Sequence, residues 1–88
     1  MVELCRFYGI VISVYPPPRE HGPAHFHVRY GEDKASVAIS DGSVMRGSLP
    51  RRAAALVADW YALHSAELQV AWNQLQVGVS PTKIAPLE

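Results

Sequence analysis

A chain of 88 residues has room for one hydrophobic core and not for two. Its 49% apolar content excludes a disordered segment, and its formal net charge of +0 excludes a protein that binds nucleic acid over its whole surface, leaving only a local basic patch for that role. Cys5 is the only cysteine, which excludes an internal disulfide and makes a reduced, cytoplasmic setting the expectation.

In chain order, the first apolar stretch is RFYGIVISVY, residues 6–15. It is too short to span a bilayer, so no membrane association is expected. Its alternation predicts one strand, with Tyr8, Ile10, Ile12 and Val14 on one face and Phe7, Gly9, Val11, Ser13 and Tyr15 on the other. The run PPPREHGP then breaks regular structure, because proline cannot donate to a ladder and restricts the residue before it. AHFHVRY resumes the alternation, setting Phe26, Val28 and Tyr30 against His25, His27 and Arg29. GEDK reads as a turn, KASVAIS as a strand with Val37 and Ile39 on its apolar face, and SVMRG as a short returning strand. Asp41-Gly42 is the two-residue signal of a type I′ hairpin between them.

Residues 1–47 therefore predict an antiparallel β-meander of three to four strands. Residues 48–77 predict one long helix, since Arg51 to Val77 contains no Gly or Pro. Ser48 is the expected N-cap, Pro50 suits the first turn, and Gly78 with Pro81 ends the helix. Its apolar stripe, from Ala53 through Val57, Trp60, His64, Leu68 and Trp72 to Leu75, lays it on one face of the sheet. The chain reads as a single α+β domain, 1–88, with 78–88 an extended tail. A helix of that span is roughly 40 Å long, whereas strands of this length cover roughly 20–30 Å. The last turns, carrying Trp72, Leu75 and Val77, are thus expected to overhang, covered by the tail (Ile84, Leu87) or, the favoured choice, by a second chain.

Three histidines in HGPAHFH carry the most chemistry. His25 and His27, two apart on a strand, project from one face and could close on a single Zn²⁺ or Ni²⁺, with His21 as third ligand. The same pair, His25 and His27, could instead act as catalytic acid and base without metal, or the histidines could simply cap backbone groups at a loop–strand junction. Alternation sends His25, His27 and Arg29 away from the helix. There they join the small residues Gly9, Val11, Ser13, Ser36, Ala38 and Ser40, with Tyr15, in a shallow floor. His64 reads differently, as a structural histidine bonded to a backbone carbonyl or to the hydroxyl of Tyr8 or Tyr30. GSLPRR offers an anion site at the helix start, where Arg46, Arg51 and Arg52 gather, or else a solvated basic face.

These residues resemble a family of small bacterial proteins known as domain of unknown function 4160. Its members read RFYGI near the start, H-x-P-P-H-F-H-A/V-x-Y-G in the middle, G-x-L-P-x-R before a helix, and W-x-x-x-H within it. Here His21, His25, Phe26 and His27 fill the central motif, with Ala24 in place of its second proline. Leu49, Pro50 and Arg52 match the helix start, and Trp60 and His64 the helix. The resemblance implies a gene often neighboured by that of another small protein, an arrangement similar to toxin–antitoxin pairs. It raises the weight of His21, His25 and His27 as functional residues. Two functions are then expected. One is an interaction module that binds a small operon-encoded partner or a second copy of itself through the sheet face and the helix end. The other is a small histidine-dependent hydrolase or metal enzyme, acting on RNA, with the arginines holding phosphate.

Overall fold

The computed structural model describes residues 1–16 and 22–88. Five strands precede one helix: β1 (Val2–Phe7), β2 (Ile10–Val14), β3 (His25–Tyr30), β4 (Asp33–Ala38), β5 (Val44–Gly47) and α1 (Arg51–Gln76). Every neighbouring pair is antiparallel and the spatial order is the chain order. The architecture is the expected α+β meander with a C-terminal helix, with one strand more than expected.

The additional strand is β1, because residues 6–15 are not one strand: a turn at Tyr8-Gly9 inside them joins β1 and β2 in a hairpin. Phe7 pairs with Ile10, and the two residues between them, Tyr8 and Gly9, have φ of 49° and 81°. Positive φ at both central positions is the requirement of a type I′ turn. The turn puts Phe7 and Ile10 on the same face, and both are buried. A bulge between Glu3 and Cys5 then lets the consecutive residues Leu4 and Cys5 both turn inward.

Asp41-Gly42 does the reverse. Ala38 N–H donates to the Ser43 carbonyl at 2.8 Å and Gly42 N–H to the Ala38 carbonyl at 2.9 Å, so the connection between β4 and β5, 39–43, is longer than a two-residue turn. Only Gly42 has a positive φ there. The Asp41 carboxylate instead accepts from the Ser43 hydroxyl at 2.7 Å and the Ser43 N–H at 2.9 Å. Those bonds stabilise an Asx-type turn and hold the carboxyl below its usual range.

On the inner face, Ile10, Ile12 and Val14 of β2 and Phe26 and Val28 of β3 are almost wholly buried. Trp60 of α1 lies among them, stacked on Phe7 with centroids 5.8 Å apart and edge-on to Phe26 at 6.0 Å. Its indole N–H donates to the Ala85 carbonyl at 2.9 Å, so the tail supplies the polar partner a buried Trp needs. Tyr61 stacks on Phe26 at 6.2 Å and its hydroxyl donates to the Ile39 carbonyl.

Three expectations about the helix are corrected. Ser48 is not the cap: Pro50 holds that position without any side-chain bond, and Ser48 N–H donates to the Lys34 carbonyl at 3.2 Å. The helix is also not straight, because His64 has φ −127° and ψ 15°, outside the helical region. A straight helix of 26 residues would be about 39 Å long, more than the 34 Å longest extent of the molecule. The break therefore removes the overhang: Trp72 and Leu75 return to the core at 9% and 7% exposure. Ile84 joins them, and its N–H donates to the Leu4 carbonyl at 3.1 Å on the edge strand β1. The tail contributes to this covering, as the alternative expectation had it, while Val77 stays exposed.

His64 itself is half-buried and tilted against Trp60 at 5.4 Å. Its Nδ1 donates to the Glu67 carboxylate at 2.5 Å, where a backbone carbonyl or a tyrosine was expected. Glu67 is one helical turn on, and an i,i+3 pair of that kind is a local feature of the helix surface.

Candidate functional site on the outer face of the sheet

Strand register arranges the outer face in rows. Glu3, Ser13, His27, Ser36 and Arg46 stand opposite one another across all five strands. The next row is Arg6, Val11, Arg29 and Lys34, and at the other end His25 stands opposite Ala38. Side chains two apart on a strand share a face, so the rows form one continuous surface. Between them lies a cleft of about 320 Å³, whose lining includes Ser13, Tyr15, His27, Arg29, Lys34, Ser36 and Arg46. This is the floor expected from alternation, except that Gly9 has gone to a turn and Ser40 to a loop. Lys34 is an addition. GEDK reads as a turn from sequence, although Lys34 lies two before Ser36 on the same alternation.

The charges of the cleft are one-sided. Arg29, Lys34 and Arg46 line it, and among the described residues no carboxylate does. Arg6, in contrast, is matched by the Glu3 carboxylate at 2.7 and 2.9 Å, and that guanidinium holds the Glu3 carboxyl below its usual range. The predicted arginine group is divided by the fold. Arg46 belongs to the outer face, whereas Arg51 and Arg52 are exposed in the first turn of α1, where no acidic residue answers the helix dipole.

The two described histidines of the HGPAHFH motif meet as the spacing required. The rings of His25 and His27 have centroids 5.1 Å apart. His25 is buried, and its Nδ1–H donates to the Pro23 carbonyl at 2.8 Å. In the neutral ring that bond places the lone pair on Nε2. His25 also lies 5.3 Å from the Trp72 ring. The sheet does not screen it from the helix as alternation alone implied, because it is the first residue of β3 and the returning helix packs Trp72 against that end of the strand. His27 has the Tyr15 ring edge-on at 4.5 Å and the Ser36 hydroxyl 3.5 Å from Nδ1.

Metal–nitrogen bonds of about 2.0–2.1 Å in a tetrahedral site put two imidazole centroids roughly 5 Å apart, so this pair suits two ligands of one Zn²⁺ or Ni²⁺. The third expected ligand, His21, lies outside the described residues. Among the described residues no three His, Cys, Asp or Glu side chains come together to hold a metal ion. Cys5 is buried in the core, and burial, with Glu3 nearby, pushes its thiol up to about 11. A protonated buried thiol is neither a nucleophile nor a ready ligand.

No helix among the described residues is long and apolar enough to cross a membrane. Comparison with curated proteins and with solved structures returned no match. The family described as "Domain of unknown function (DUF4160)" matches residues 9–73, which hold β2 to β5, both central histidines and most of α1. With four of its five strands, the His25–His27 pair and the Trp60–His64 stretch of its helix inside that span, the chain belongs to the DUF4160 family.

Proposed function

We propose that this protein is an interaction module, one member of a toxin–antitoxin-like pair, that engages an anionic partner through the outer face of its sheet. The observation that carries the reading is the cleft in which Arg29, Lys34 and Arg46 converge with no carboxylate among its described lining residues. The helix end offers less apolar surface than expected, since Trp72 and Leu75 are buried within their own chain and Val77 alone of the three is exposed. An antiparallel sheet commonly packs one face on the core and leaves the opposite face polar and open to solvent, which makes the outer face available to a partner. The test is calorimetric titration of wild type and an Arg29→Glu, Lys34→Glu double variant with the small protein encoded beside it and with a short single-stranded RNA. Binding that weakens with salt and disappears in the double variant supports the reading. Binding that is indifferent to both contradicts it.

A second reading draws on a different observation, the Pro23-oriented His25 beside His27. An oriented imidazole with its lone pair on Nε2 is a competent general base, and a second imidazole nearby is a competent acid, for hydrolysis of RNA. A bell-shaped pH profile of RNA cleavage, lost in His25→Ala and in His27→Ala and persisting under chelation, favours that enzyme. Intact RNA at every pH excludes it.

A further inference from the structure

We infer that the outer-face cleft is a nucleotide-sized site, with a phosphate held among Arg29, Lys34 and Arg46 and a planar base laid against the Tyr15–His27 pair. The inference rests on reading the outer face as a surface for an anionic partner, and it names the chemistry of that partner.

Three observations converge on it. The first is electrostatic. Arg29 and Lys34 are direct cross-strand partners, and Arg46 pairs with Ser36 one row away. Like charges placed directly opposite each other on an antiparallel pair are destabilising; no carboxylate lines the cleft among the described residues, and Glu3, which feels Arg29 only weakly, is already engaged by Arg6. A bound phosphate supplies that answer through charge-assisted hydrogen bonds, for which guanidinium forks are well shaped. The second is size. A cleft of about 320 Å³ lies at the lower end of the range for small-molecule sites, roughly 300–1,000 Å³, and accepts one nucleotide unit, not a folded surface. The third is the character of the remaining wall. Tyr15 and His27 sit edge to face at 4.5 Å and both line the cleft, while Ser13 and Ser36 put hydroxyls on its floor. An aromatic wall beside a cationic one suits a ligand that is a flat ring at one end and an anion at the other. A plain carboxylate peptide would use the cations and leave the rings idle.

The same chemistry is offered by a free nucleotide and by one unit of a single strand. Titration of the wild-type chain with adenosine 5′-monophosphate, inorganic phosphate, adenosine, an oligo-glutamate peptide and a pentanucleotide RNA separates them. The monophosphate is expected to bind more tightly than either phosphate or adenosine alone. Arg29→Ala and Lys34→Ala, at exposed positions, should each weaken it by at least about tenfold. Tyr15→Leu should reduce the advantage over inorganic phosphate by roughly fivefold or more, while leaving phosphate binding itself unchanged. A pentanucleotide that binds much more tightly than the monophosphate assigns the site to a strand, and equal affinity assigns it to a free nucleotide. Failure of both nucleotide probes at millimolar concentration, while oligo-glutamate binds and is lost in Arg29→Ala, overturns this inference and leaves the anionic-partner reading intact. Failure of all five probes overturns both.

Discussion

Phe26 and His27 are neighbours in the chain and live in different chemical worlds. Phe26 faces inward, fully buried between Trp60 and Tyr61 of the helix, in a layer that has no use for a charge. His27 faces outward in a row with Ser13, Ser36 and Arg46, beside cations that no described carboxylate in the cleft neutralises. The inner face is what a chain must build to stay folded at all. The outer face departs from what stability alone would select, and places where local rules are broken without an internal compensation are where function is to be sought.

The contrast between the two faces is largest at that pair of neighbours. Phe26→Ala should cost about 3–5 kcal/mol in chemical denaturation, the usual cost of deleting a buried aromatic ring. His27→Ala, which loses its contacts with Tyr15 and His25, should cost about 1 kcal/mol. Equal losses at the two positions would mean that the outer face is simply a second core. Gly47→Ala comes next. Its φ of 76° disfavours any side chain, and a Cβ there would stand 2.1 Å from the Lys34 carbonyl oxygen, an immovable backbone atom. The strain alone amounts to about 1–3 kcal/mol, and β5 must also shift, taking Arg46 out of the cleft. Denaturation should therefore show a loss of about 3 kcal/mol, together with loss of anion binding.

Trp72 joins the two layers, because it is buried with the core and packs on His25. Trp72→Ala should cost about 3 kcal/mol and leave a melting temperature that does not vary with protein concentration, since the groups Trp72 packs on belong to its own chain. A melting temperature that rises with concentration in the wild type and not in the variant would instead give this residue an intermolecular role. The Cys5 thiol gives a smaller effect, confined to alkaline pH. Its folded pKa is raised from 9.0 to about 11, so the stability it contributes is complete below 9.0 and is lost as pH rises towards 11. By about pH 11 the loss approaches 2–3 kcal/mol relative to a Cys5→Ala chain, which lacks this slope.

Much of the molecule is legible in the sequence because uninterrupted alternation is a strong signal. The strand over His25 to Tyr30 and the facing of its residues from Phe26 onward read correctly, and with them the outer floor of Val11, Ser13, Tyr15 and Ser36. The hairpin at Tyr8-Gly9 is hidden because Tyr rarely takes a left-handed conformation, and the alternation runs on past it as though unbroken. Asp41-Gly42 shows the opposite failure, a strong local signal overridden when the Asp41 side chain bonds Ser43. The break at His64 involves neither Pro nor Gly, and its consequence, Trp72 reaching His25, joins residues 47 positions apart (72 − 25) that no local pattern relates. The basic cleft escapes sequence reading as a unit because its cations come from β3, β4 and β5 and meet only through the register.

If the outer-face cations are kept for a ligand, they are kept at a cost to the unliganded fold. Lys34→Glu probes that cost in one measurement, the melting temperature at low salt with and without tripolyphosphate. Turning the Arg29–Lys34 pairing into an attractive cross-strand pair should raise the melting temperature of the free protein above that of wild type. Tripolyphosphate should then stabilise the wild type and leave the Lys34→Glu chain unmoved. A Lys34→Glu chain that is no more stable than wild type, and that gains as much from tripolyphosphate, would contradict a ligand-binding role for these cations.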